Sequence, residues 1–382
     1  MSLVVFPFKT EDPNVVLTNI RVAASHPAVS RVLTVGFEQE STFEAVAGSR
    51  REIERETATP IDLVLQDRIG SMRPGKGDGM NTGLRYFLSE TDAERLHFYD
   101  ADITSFGPGW ITQAERAADL DYDVVRHFFP RSSTDAMITW MITRTGFALL
   151  WPRTELPWIE QPLGGELLFT RPVAEALVAD DRVQAQSDWG IDTLYTFATV
   201  QAGFSVYETY VPQGKAHALY GGLTDLKTML VECFGAMQAL RGETVNESVI
   251  HRVEATASVP SSITEKVGYD IEATLRMPGR GWTDRQVELL DVLPENLRSG
   301  VLENRSSATY SFMDEEAWAA VYSTLLDFFV PGDEGWEELL FKLWVIRVLS
   351  YTTARALRGY EHSQQYLRSM IGGYLEAAAL AQ

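Results

Sequence analysis

Short apolar runs alternate with longer amphipathic stretches through roughly the first 130 residues, and this rhythm limits the fold more than any other feature of the chain. A β-α-β-α order is typical of a mostly parallel sheet with helices on both faces. We therefore predict an α/β fold whose ligands bind outside the carboxyl ends of the strands. Predicted strands cover residues 3–8, 31–38, 60–66 and 95–100, and predicted helices cover 13–26, 42–56 and a segment opening near Asn81.

The rhythm changes beyond about residue 225, where helical periodicity dominates. Residues 314–330 and 336–359 both read as helices. Residues at positions i, i+3, i+4, i+7 and i+8 of the second stretch predict one buried face: Trp336, Leu339, Leu340, Leu343 and Trp344. We predict a catalytic domain over residues 1–225 and a mostly helical C-terminal subdomain over 226–382.

The charge of the chain excludes several classes of partner. Its 33 Lys and Arg residues face 53 Asp and Glu residues, for a formal net charge of -20. Nucleic acids and anionic membrane surfaces require basic patches, so we expect neither as a partner. Cys233 is the only cysteine, which excludes an intramolecular disulfide and fits the reducing cytoplasm, and no secretion signal is visible. The late apolar run at 339–349 contains Lys342 and Arg347 and is too short to span a bilayer.

Two Asp-x-Asp motifs differ in their position relative to the nearest strand. Asp100 and Asp102 follow their apolar run, at the ligand-binding end, whereas Asp121 and Asp123 precede theirs. In an extended backbone, residues two apart point to the same side. Carboxylates this close repel each other unless a cation lies between them or one is protonated. We predict that the first pair is functional and the second a turn, although a solvated turn is also an alternative for the first.

A glycine-rich segment at residues 70–83 lies between a predicted strand and a predicted helix. It matches most of a phosphate-binding loop, but Gly77 stands where a metal-binding hydroxyl is needed, which argues against ATP hydrolysis. Glycines allow a close backbone approach, and Lys76 adds a positive charge beside a helix start. A diphosphate is the predicted partner, and a mobile surface loop is the alternative.

Four further segments are candidates for the ligand site. His217 lies between glycines and is a candidate nitrogen ligand, and mixed oxygen and nitrogen ligands suit Mn²⁺ or Mg²⁺ better than Ca²⁺. Arg131 lies just past a strand and can grip a carboxylate or phosphate with two nitrogens, or be an ordinary surface arginine. Trp189 and Asp192 are typical of a sugar site, or of a helix start capped by Ser187 or Asp188. Residues 161–166 predict a second close backbone approach.

The segments PFKTEDP (7–13), GKGDGMN (75–81), DAD (100–102) and KAHALYGG (215–222), in this order, carry a family resemblance. The chain resembles nucleotide-sugar glycosyltransferases of the GT-A fold, and within them the retaining mannosyltransferases of the mannosylglycerate synthase family. The resemblance covers most of the chain. It implies a GT-A-like (Rossmann-like) mixed, mostly parallel sheet flanked by helices.

The resemblance also implies roles for individual residues. Asp102 and His217 would bind a divalent cation, with Asp100 beside them contacting the ribose or a metal-bound water. Lys76 would contact the donor phosphates or sugar, Asp192 the mannose hydroxyls, and the Leu163 backbone the anomeric carbon. The remaining implied contacts are Pro7, Lys9, Glu11, Gln66 and Ala101 with the nucleotide-sugar, and Arg131 and Thr139 with the carboxylate and hydroxyl of the acceptor.

The implied reaction transfers mannose from GDP-mannose to the 2-hydroxyl of D-glycerate, or of a similar small 2-hydroxy acid such as D-lactate or glycolate. Retention requires either a carboxylate nucleophile, for which Asp192 is the nearest candidate by type, or a front-face substitution assisted by the leaving phosphate. One rival function is a related transferase with another donor or a phosphorylated glycerate acceptor. Another is a nucleotide-sugar-binding module without catalysis. The sequence leaves the oligomeric state open, a homo-oligomer included.

Overall fold

A computed structural model of the chain describes residues 1–216, 222–245, 249–255, 258–305 and 309–381. The chain forms two compact units, each built from separate stretches of sequence. The first unit consists of Met1–Pro130, Ile159–Ala218 and Thr244–Val259, and the second of Arg131–Trp158, Leu219–Glu243 and Pro260–Gln382. The division into residues 1–225 and 226–382 stays a prediction.

The first unit is organised around one mixed sheet. Its described residues form eight strands in the order β3-β2-β1-β4-β6-β5-β7-β8. Every neighbouring pair is parallel except the two that involve β6, which runs antiparallel to β4 and β5. The strands are β1 (Ser2–Phe8), β2 (Val29–Gly36), β3 (Ile61–Leu65), β4 (Arg95–Phe98), β5 (Val124–Phe128), β6 (Leu167–Thr170), β7 (Val206–Tyr210) and β8 (Ile250–Arg252).

Parallel pairing places the functional segments at one edge of this sheet. In the register of β1, Val4 faces Val32 of β2 and His97 of β4, so the three strands end on the same side. The central strand β1 is buried along almost its whole length, as expected for a strand covered on both faces. Asp100 and Asp102 therefore emerge at the carboxyl edge, where parallel sheets bind ligands.

Sixteen α-helices accompany the strands in the described residues. They are α1 (Pro13–Ala24), α2 (Ser41–Thr57), α3 (Lys76–Glu90), α4 (Pro108–Ala118), α5 (Thr145–Leu150), α6 (Arg171–Ala179), α7 (Asp181–Ala185), α8 (Ile191–Gln201), α9 (Lys227–Ala239), α10 (Ser261–Thr264), α11 (Ile271–Leu275), α12 (Asp284–Leu289), α13 (Glu295–Asn304), α14 (Glu315–Phe328), α15 (Glu334–Ala354) and α16 (Tyr360–Ala381). Short 3₁₀ turns lie at Leu156–Trp158, Leu223–Leu226, Leu290–Val292 and Ala356–Arg358, and a π-helical segment at Thr139–Arg144.

The second unit is helical, and its centre is α15. All five residues of the predicted apolar face are buried, but so are all the other residues from Leu339 to Thr352. The helix is thus covered on all sides rather than on one face. Two side chains of α14 reach the π-helical segment, where Trp318 Nε1 donates to Met141 O at 2.8 Å and Tyr322 Oη donates to Ile142 O at 3.0 Å.

These observations confirm the predicted fold class, a GT-A-like α/β architecture with a mixed, mostly parallel sheet, flanking helices and a mostly helical C-terminal part. One boundary in the first unit was wrong by several residues. Helix α3 begins at Lys76 rather than near Asn81, so part of the glycine-rich segment is helical. Within the described ranges, no helix combines the length and the apolar character needed to cross a membrane.

Candidate active site

A buried asparagine holds the turn that carries Asp100 and Asp102 through hydrogen bonds to its backbone. Asn19, on the buried side of α1, donates from Nδ2 to the carbonyl of Ala101 at 3.1 Å and to that of Ile103 at 3.0 Å. Ala101 is buried, whereas Asp102 is partly exposed. The two hydrogen bonds hold the backbone on both sides of Asp102, so this carboxylate is presented from a braced turn.

A row of alternating charges extends from Asp100. Lys76 Nζ lies 3.3 Å from Asp100 Oδ1 and 3.0 Å from Asp192 Oδ2. On the other side, the Lys215 ammonium contacts Asp100 Oδ2 and lies 2.6 Å from Glu166 Oε1. Three carboxylates and two ammonium groups thus form a continuous network in the order Glu166, Lys215, Asp100, Lys76 and Asp192.

The electrostatics of this network follow from burial and pairing. Burial alone would raise the pKa of Asp100, but Lys215 and Lys76 hold it far below its usual range. Burial would lower the pKa of Lys76, yet attraction from Asp100 and Asp192 raises it well above that of a free lysine. Burial raises the pKa of Asp192 and of Glu166, and the ammonium partners only partly offset this effect. Burial would lower the pKa of Lys215 too, but Asp100 and Glu166 raise it, so both lysines are charged at neutral pH.

The glycines of the 70–83 segment have a structural reason that the sequence did not reveal. A Cβ on Gly75 would lie 2.1 Å from Asp188 Oδ1, and one on Gly77 would lie 2.5 Å from Gln186 O. The segment before α8 packs directly on the start of α3, where Asp188 Oδ1 accepts the Lys76 N–H at 3.0 Å. The Asp78 N–H is likewise taken, by Ser187 O at 2.9 Å. The part of the segment from Gly75 to Asp78 is therefore packed against residues 186–188, and Asp188 caps α3 with its side chain.

The loop at residues 161–166 is held from within the sheet. Arg126 of β5, fully buried, donates from Nη2 to the carbonyls of Gln161 and Pro162, both at 3.1 Å. Desolvation by burial lowers its pKa to about 10. Thr196 Oγ1 also donates to Pro162 O, at 2.7 Å. These contacts immobilise the backbone just before Leu163, the residue expected to face the anomeric carbon.

The same loop closes on the charged network through Gly165. A Cβ on this residue would lie 2.5 Å from Asp100 Oδ1 and 2.8 Å from Lys76 Nζ. Only a glycine lets the backbone approach these two side chains so closely. The predicted second close backbone approach is therefore present, and its partners are the two charged groups rather than solvent.

The residues expected to hold the nucleotide lie at the carboxyl ends of β1 and β3, on either side of β2. Pro7 is the second-last residue of β1 and Gln66 follows β3, and atoms of both lie 3.4 Å from a Cβ built on Gly79 of α3. The Lys9 ammonium lies 4.1 Å from the Phe37 ring centroid, and the backbone N–H of Lys9 donates to Glu11 Oε2. Burial, with a smaller contribution from Asp102 and Asp100, raises the pKa of Glu11. Pro7 and Gln66 thus lie near one another, and Glu11 lies near the Asp-x-Asp pair.

The chemistry of the donor groups fits a hard divalent cation. Asp100 and Asp102 supply carboxylate oxygens at a strand end. The Lys215 ammonium, itself a cation, forms an ion pair with Asp100. His217, the predicted nitrogen ligand, lies outside the described residues, although the chain just before it is anchored: Thr104 N donates to Ala216 O at 2.8 Å. Within the described ranges, no three Asp, Glu, His or Cys side chains are grouped to hold a metal.

The second Asp-x-Asp motif is a turn, as predicted. Asp121 has a positive φ of 64°, and Asp123 directly precedes β5. Asp123 Oδ2 accepts hydrogen bonds from Ser205 N at 2.9 Å and from Ser205 Oγ at 2.7 Å. This carboxylate ties the amino ends of β5 and β7 together and lies at the edge opposite the ligand-binding end.

The candidate acceptor residues belong to the second unit. Arg131 makes the predicted two-nitrogen grip on a carboxylate, but the carboxylate is that of Asp135: Nε lies 3.0 Å from Oδ2 and Nη2 lies 3.2 Å from Oδ1. Thr139 is buried and begins the π-helical segment. The guanidinium therefore has the expected geometry and is already partly neutralised by its own chain.

Sequence reasoning missed four residues that organise the site: Asn19, Arg126, Glu166 and Lys215. Asn19 had a signal, because it is a polar residue on the apolar face of α1 beside Val16, Ile20 and Ala23. Arg126 also had one, as a charge within the apolar run of β5. Glu166 and Lys215 lie in segments that the sequence singled out, 161–166 and 215–222, but their pairing had no signal, since their partners lie 49 to 115 positions away along the chain.

Comparison with known proteins identifies related sequences along the whole chain. The family described as "Mannosylglycerate synthase, GT domain" matches residues 2–239, and "Mannosylglycerate synthase C-terminal domain" matches residues 263–371. The mannosylglycerate synthase of Rhodothermus marinus is 63% identical over 380 residues, covering 100% of this chain and 96% of that protein. That of Selaginella moellendorffii is 58% identical over 375 residues, covering 97% of this chain and 89% of that protein.

Among solved structures, a glucosyl-3-phosphoglycerate synthase from Mycobacterium tuberculosis, in complex with phosphoglyceric acid, aligns with a TM-score of 0.47 and 17% identity. The alignment covers 63% of this chain and 80% of that chain. A likeness this distant carries no information about ligands.

Proposed function

Because the chain belongs to the mannosylglycerate synthase family and is a glycosyltransferase, we propose that it transfers mannose from GDP-mannose to the 2-hydroxyl of D-glycerate. D-lactate and glycolate keep the carboxylate and the 2-hydroxyl, so they are proposed as weaker acceptors. The observation that best supports the proposal is the position of Lys76, whose side chain is 14% exposed and lies between Asp100 and Asp192, next to the backbone of Gly165. It supplies a fixed cation where a sugar diphosphate would develop negative charge.

Each group of the first unit has a proposed task toward the donor. Pro7, Lys9, Glu11 and Gln66 hold the nucleotide at the strand ends, and Ala101 lines the same turn. Asp192 keeps one carboxylate oxygen, Oδ1, without a hydrogen-bond partner among the described residues, although its side chain is almost fully buried. A buried acceptor of this kind fits a sugar hydroxyl, which would satisfy it.

A divalent cation held by Asp102 and His217, with Asp100 beside them, would neutralise charge on the leaving diphosphate. Mn²⁺ and Mg²⁺ are the proposed ions, because both accept carboxylate oxygens together with an imidazole nitrogen more readily than Ca²⁺ does.

For the stereochemistry we favour a front-face substitution with retention. The bond from the anomeric carbon to the diphosphate oxygen breaks, the bond to the acceptor oxygen forms on the same face, and the hydroxyl proton passes to the leaving phosphate. Asp192 is the rival nucleophile, but its Oδ2 is bonded to the Lys76 ammonium at 3.0 Å, which makes the carboxylate less nucleophilic. The Leu163 backbone, braced by Arg126, would face the anomeric carbon.

The acceptor proposal rests on the charge around Arg131. Because Asp135 already balances part of its positive charge, the pair suits a singly charged carboxylate better than a phosphorylated acid. Thr139 is proposed to receive the hydroxyl of the acceptor.

One assay tests the proposal. The purified full chain is incubated with GDP-mannose, MnCl₂ and D-glycerate, and the product is identified by mass spectrometry and by the anomeric configuration in its NMR spectrum. We expect α-mannosylglycerate, and no turnover in excess EDTA. Parallel reactions replace GDP-mannose by UDP-glucose, or D-glycerate by 3-phosphoglycerate. Faster transfer to 3-phosphoglycerate would favour the phosphorylated-acceptor alternative.

We also propose a cytoplasmic location, since the single cysteine, Cys233, is buried and needs no oxidising compartment. Cell fractionation with an antibody against the chain would test it.

A further inference from the structure

Lys215 and Glu166 form a buried ion pair that has no assigned role in the proposed reaction. The Lys215 side chain is 9% exposed and that of Glu166 is fully buried. The Lys215 ammonium contacts Asp100 as well, so a single positive charge lies between two carboxylates. One of these carboxylates belongs to the Asp-x-Asp pair, where a divalent cation is proposed.

Glu166 is also incompletely satisfied. Its Oε1 accepts from Lys215 at 2.6 Å, but its Oε2 is buried without a hydrogen-bond partner among the described residues. A buried carboxylate with an open oxygen has the capacity to accept further hydrogen bonds from an ammonium group. Lysine has three rotatable N–H donors on a flexible stem, so a small movement suffices to shift its bonds from Asp100 to Glu166.

We propose that Lys215 is an internal cation that competes with the divalent metal for Asp100, and that Glu166 is the acceptor that retains the ammonium when the metal binds. Both are positioning residues, since they act through Asp100. The inference rests on the proposed metal site. Its physical basis is that two cations cannot share one carboxylate without repelling each other, whereas an ammonium held by Glu166 leaves Asp100 available.

The proposal predicts opposite effects for the two partners. Lys215→Met removes the competitor, so the affinity for Mn²⁺ should rise by about tenfold, within the usual range of coupling between sites. Glu166→Gln removes the charge that retains the ammonium, so Lys215 stays on Asp100 and the affinity for Mn²⁺ should fall by a similar factor. Because Glu166 acts chiefly through Lys215, adding Glu166→Gln to Lys215→Met should lower the affinity for Mn²⁺ much less than Glu166→Gln does alone.

The experiment measures free Mn²⁺ by electron paramagnetic resonance during titration of the full chain, with GDP present at saturation. Circular dichroism checks that each variant is folded. If Lys215→Met fails to fold because it leaves Glu166 buried without a counter-charge, the Lys215→Met/Glu166→Gln variant carries the test. It should bind Mn²⁺ more tightly than the unmodified protein.

Three results would overturn the inference. Weaker or unchanged Mn²⁺ binding in Lys215→Met or in the double variant would make the lysine a structural support. Additive effects of the two substitutions would indicate independent long-range charges rather than an exchange. Absence of Mn²⁺ binding by the unmodified protein would overturn the proposed metal site as well, which distinguishes the failure of that proposal from the failure of this one.

Discussion

Asp102 and Asp123 each end an Asp-x-Asp motif, but they lie at opposite edges of the sheet, next to two strands that are separated by β6. Asp102 follows β4 at the carboxyl edge, and Asp123 precedes β5 and binds Ser205. Asp102→Ala should lower the turnover rate on the order of a hundredfold, because it removes a direct ligand of the proposed cation. Asp123→Ala is the matched control and should leave turnover within a few-fold. Equal losses in both variants would contradict the metal assignment.

Lys76 is the next residue at which the geometry makes a quantitative prediction. Asp100 and Asp192 hold its ammonium in place, so the side chain needs little rearrangement to stabilise the negative charge that develops on the donor. Lys76→Ala should raise the activation barrier by about 2–4 kcal/mol, the usual cost of one lost charge-stabilising donor. Steady-state kinetics would measure it, with the exposed Lys266→Ala as control. A wild-type rate in Lys76→Ala would remove this residue from the catalytic machinery.

Arg131 tests the acceptor proposal in the second unit. A planar fork already grips Asp135, and a lysine cannot reproduce two parallel hydrogen bonds. Arg131→Lys should raise the apparent KM for glycerate about tenfold, since each charged hydrogen bond contributes about 1.5–3 kcal/mol. The affinity for GDP-mannose, measured by calorimetry, should stay nearly constant. A collapse of donor affinity with unchanged acceptor kinetics would move Arg131 to the nucleotide site.

At the scale of elements, periodicity was informative wherever a helix or strand is defined by its own sequence. Helix α1 and strands β1 to β4 were predicted to within a few residues, because each carries its apolar pattern locally. The start of α3 was missed because Gly75 and Gly77 look like loop residues. Glycine is needed at these two positions because residues 185–188, about a hundred positions later, pack directly against them. No local sequence pattern indicates such a contact.

The contact between α1 and the Asp-x-Asp turn gives an element-scale prediction. Asn19→Ala would leave the carbonyls of Ala101 and Ile103 without their donor, so the free energy of unfolding should fall by about 2 kcal/mol. The affinity for Mn²⁺ should fall as well, because the turn around Asp102 loses its support. Urea denaturation and metal titration measure the two effects. Asn14→Ala, at an exposed position of the same helix, is the control and should change neither.

At the scale of the whole molecule, the carboxyl edge of the sheet was predictable, and the network that fills it was not. The sequence pointed to Asp100, Lys76 and Asp192, since each lies in a recognisable motif. No local sequence pattern predicted that Lys215 and Glu166 would join this charged network, because only the tertiary fold brings such charges together. The partners of a buried charge are therefore the part of such a site that the structure has to supply.

A second, partly buried network, at the opposite edge of the sheet, makes the stability of the fold depend on pH. Glu115 of α4 accepts hydrogen bonds from Ser2, from Arg95 Nη1 at 2.6 Å and from His97 Nε2 at 2.8 Å, and so joins α4 to β1 and β4. Burial would raise the pKa of Glu115, but the His97 hydrogen bond and charge, with Ser2 and Arg95, lower it to about 2. The folded state therefore favours the ionised carboxylate.

The resulting stability should depend on pH with a defined sign. A carboxylate whose pKa is lower in the folded state contributes stability above its unfolded pKa of 4.5, and loses it as the pH falls toward 2. Lowering the pH to one unit below the unfolded pKa removes about 1.4 kcal/mol of this stabilisation. Glu115→Gln should thus be destabilised at pH 7, and its deficit relative to wild type should shrink by about 1.4 kcal/mol at pH 3.5. Urea denaturation at both pH values measures this difference, with the exposed Glu52→Gln as control. A deficit that is the same at both pH values would mean that Glu115 stabilises the fold by packing alone.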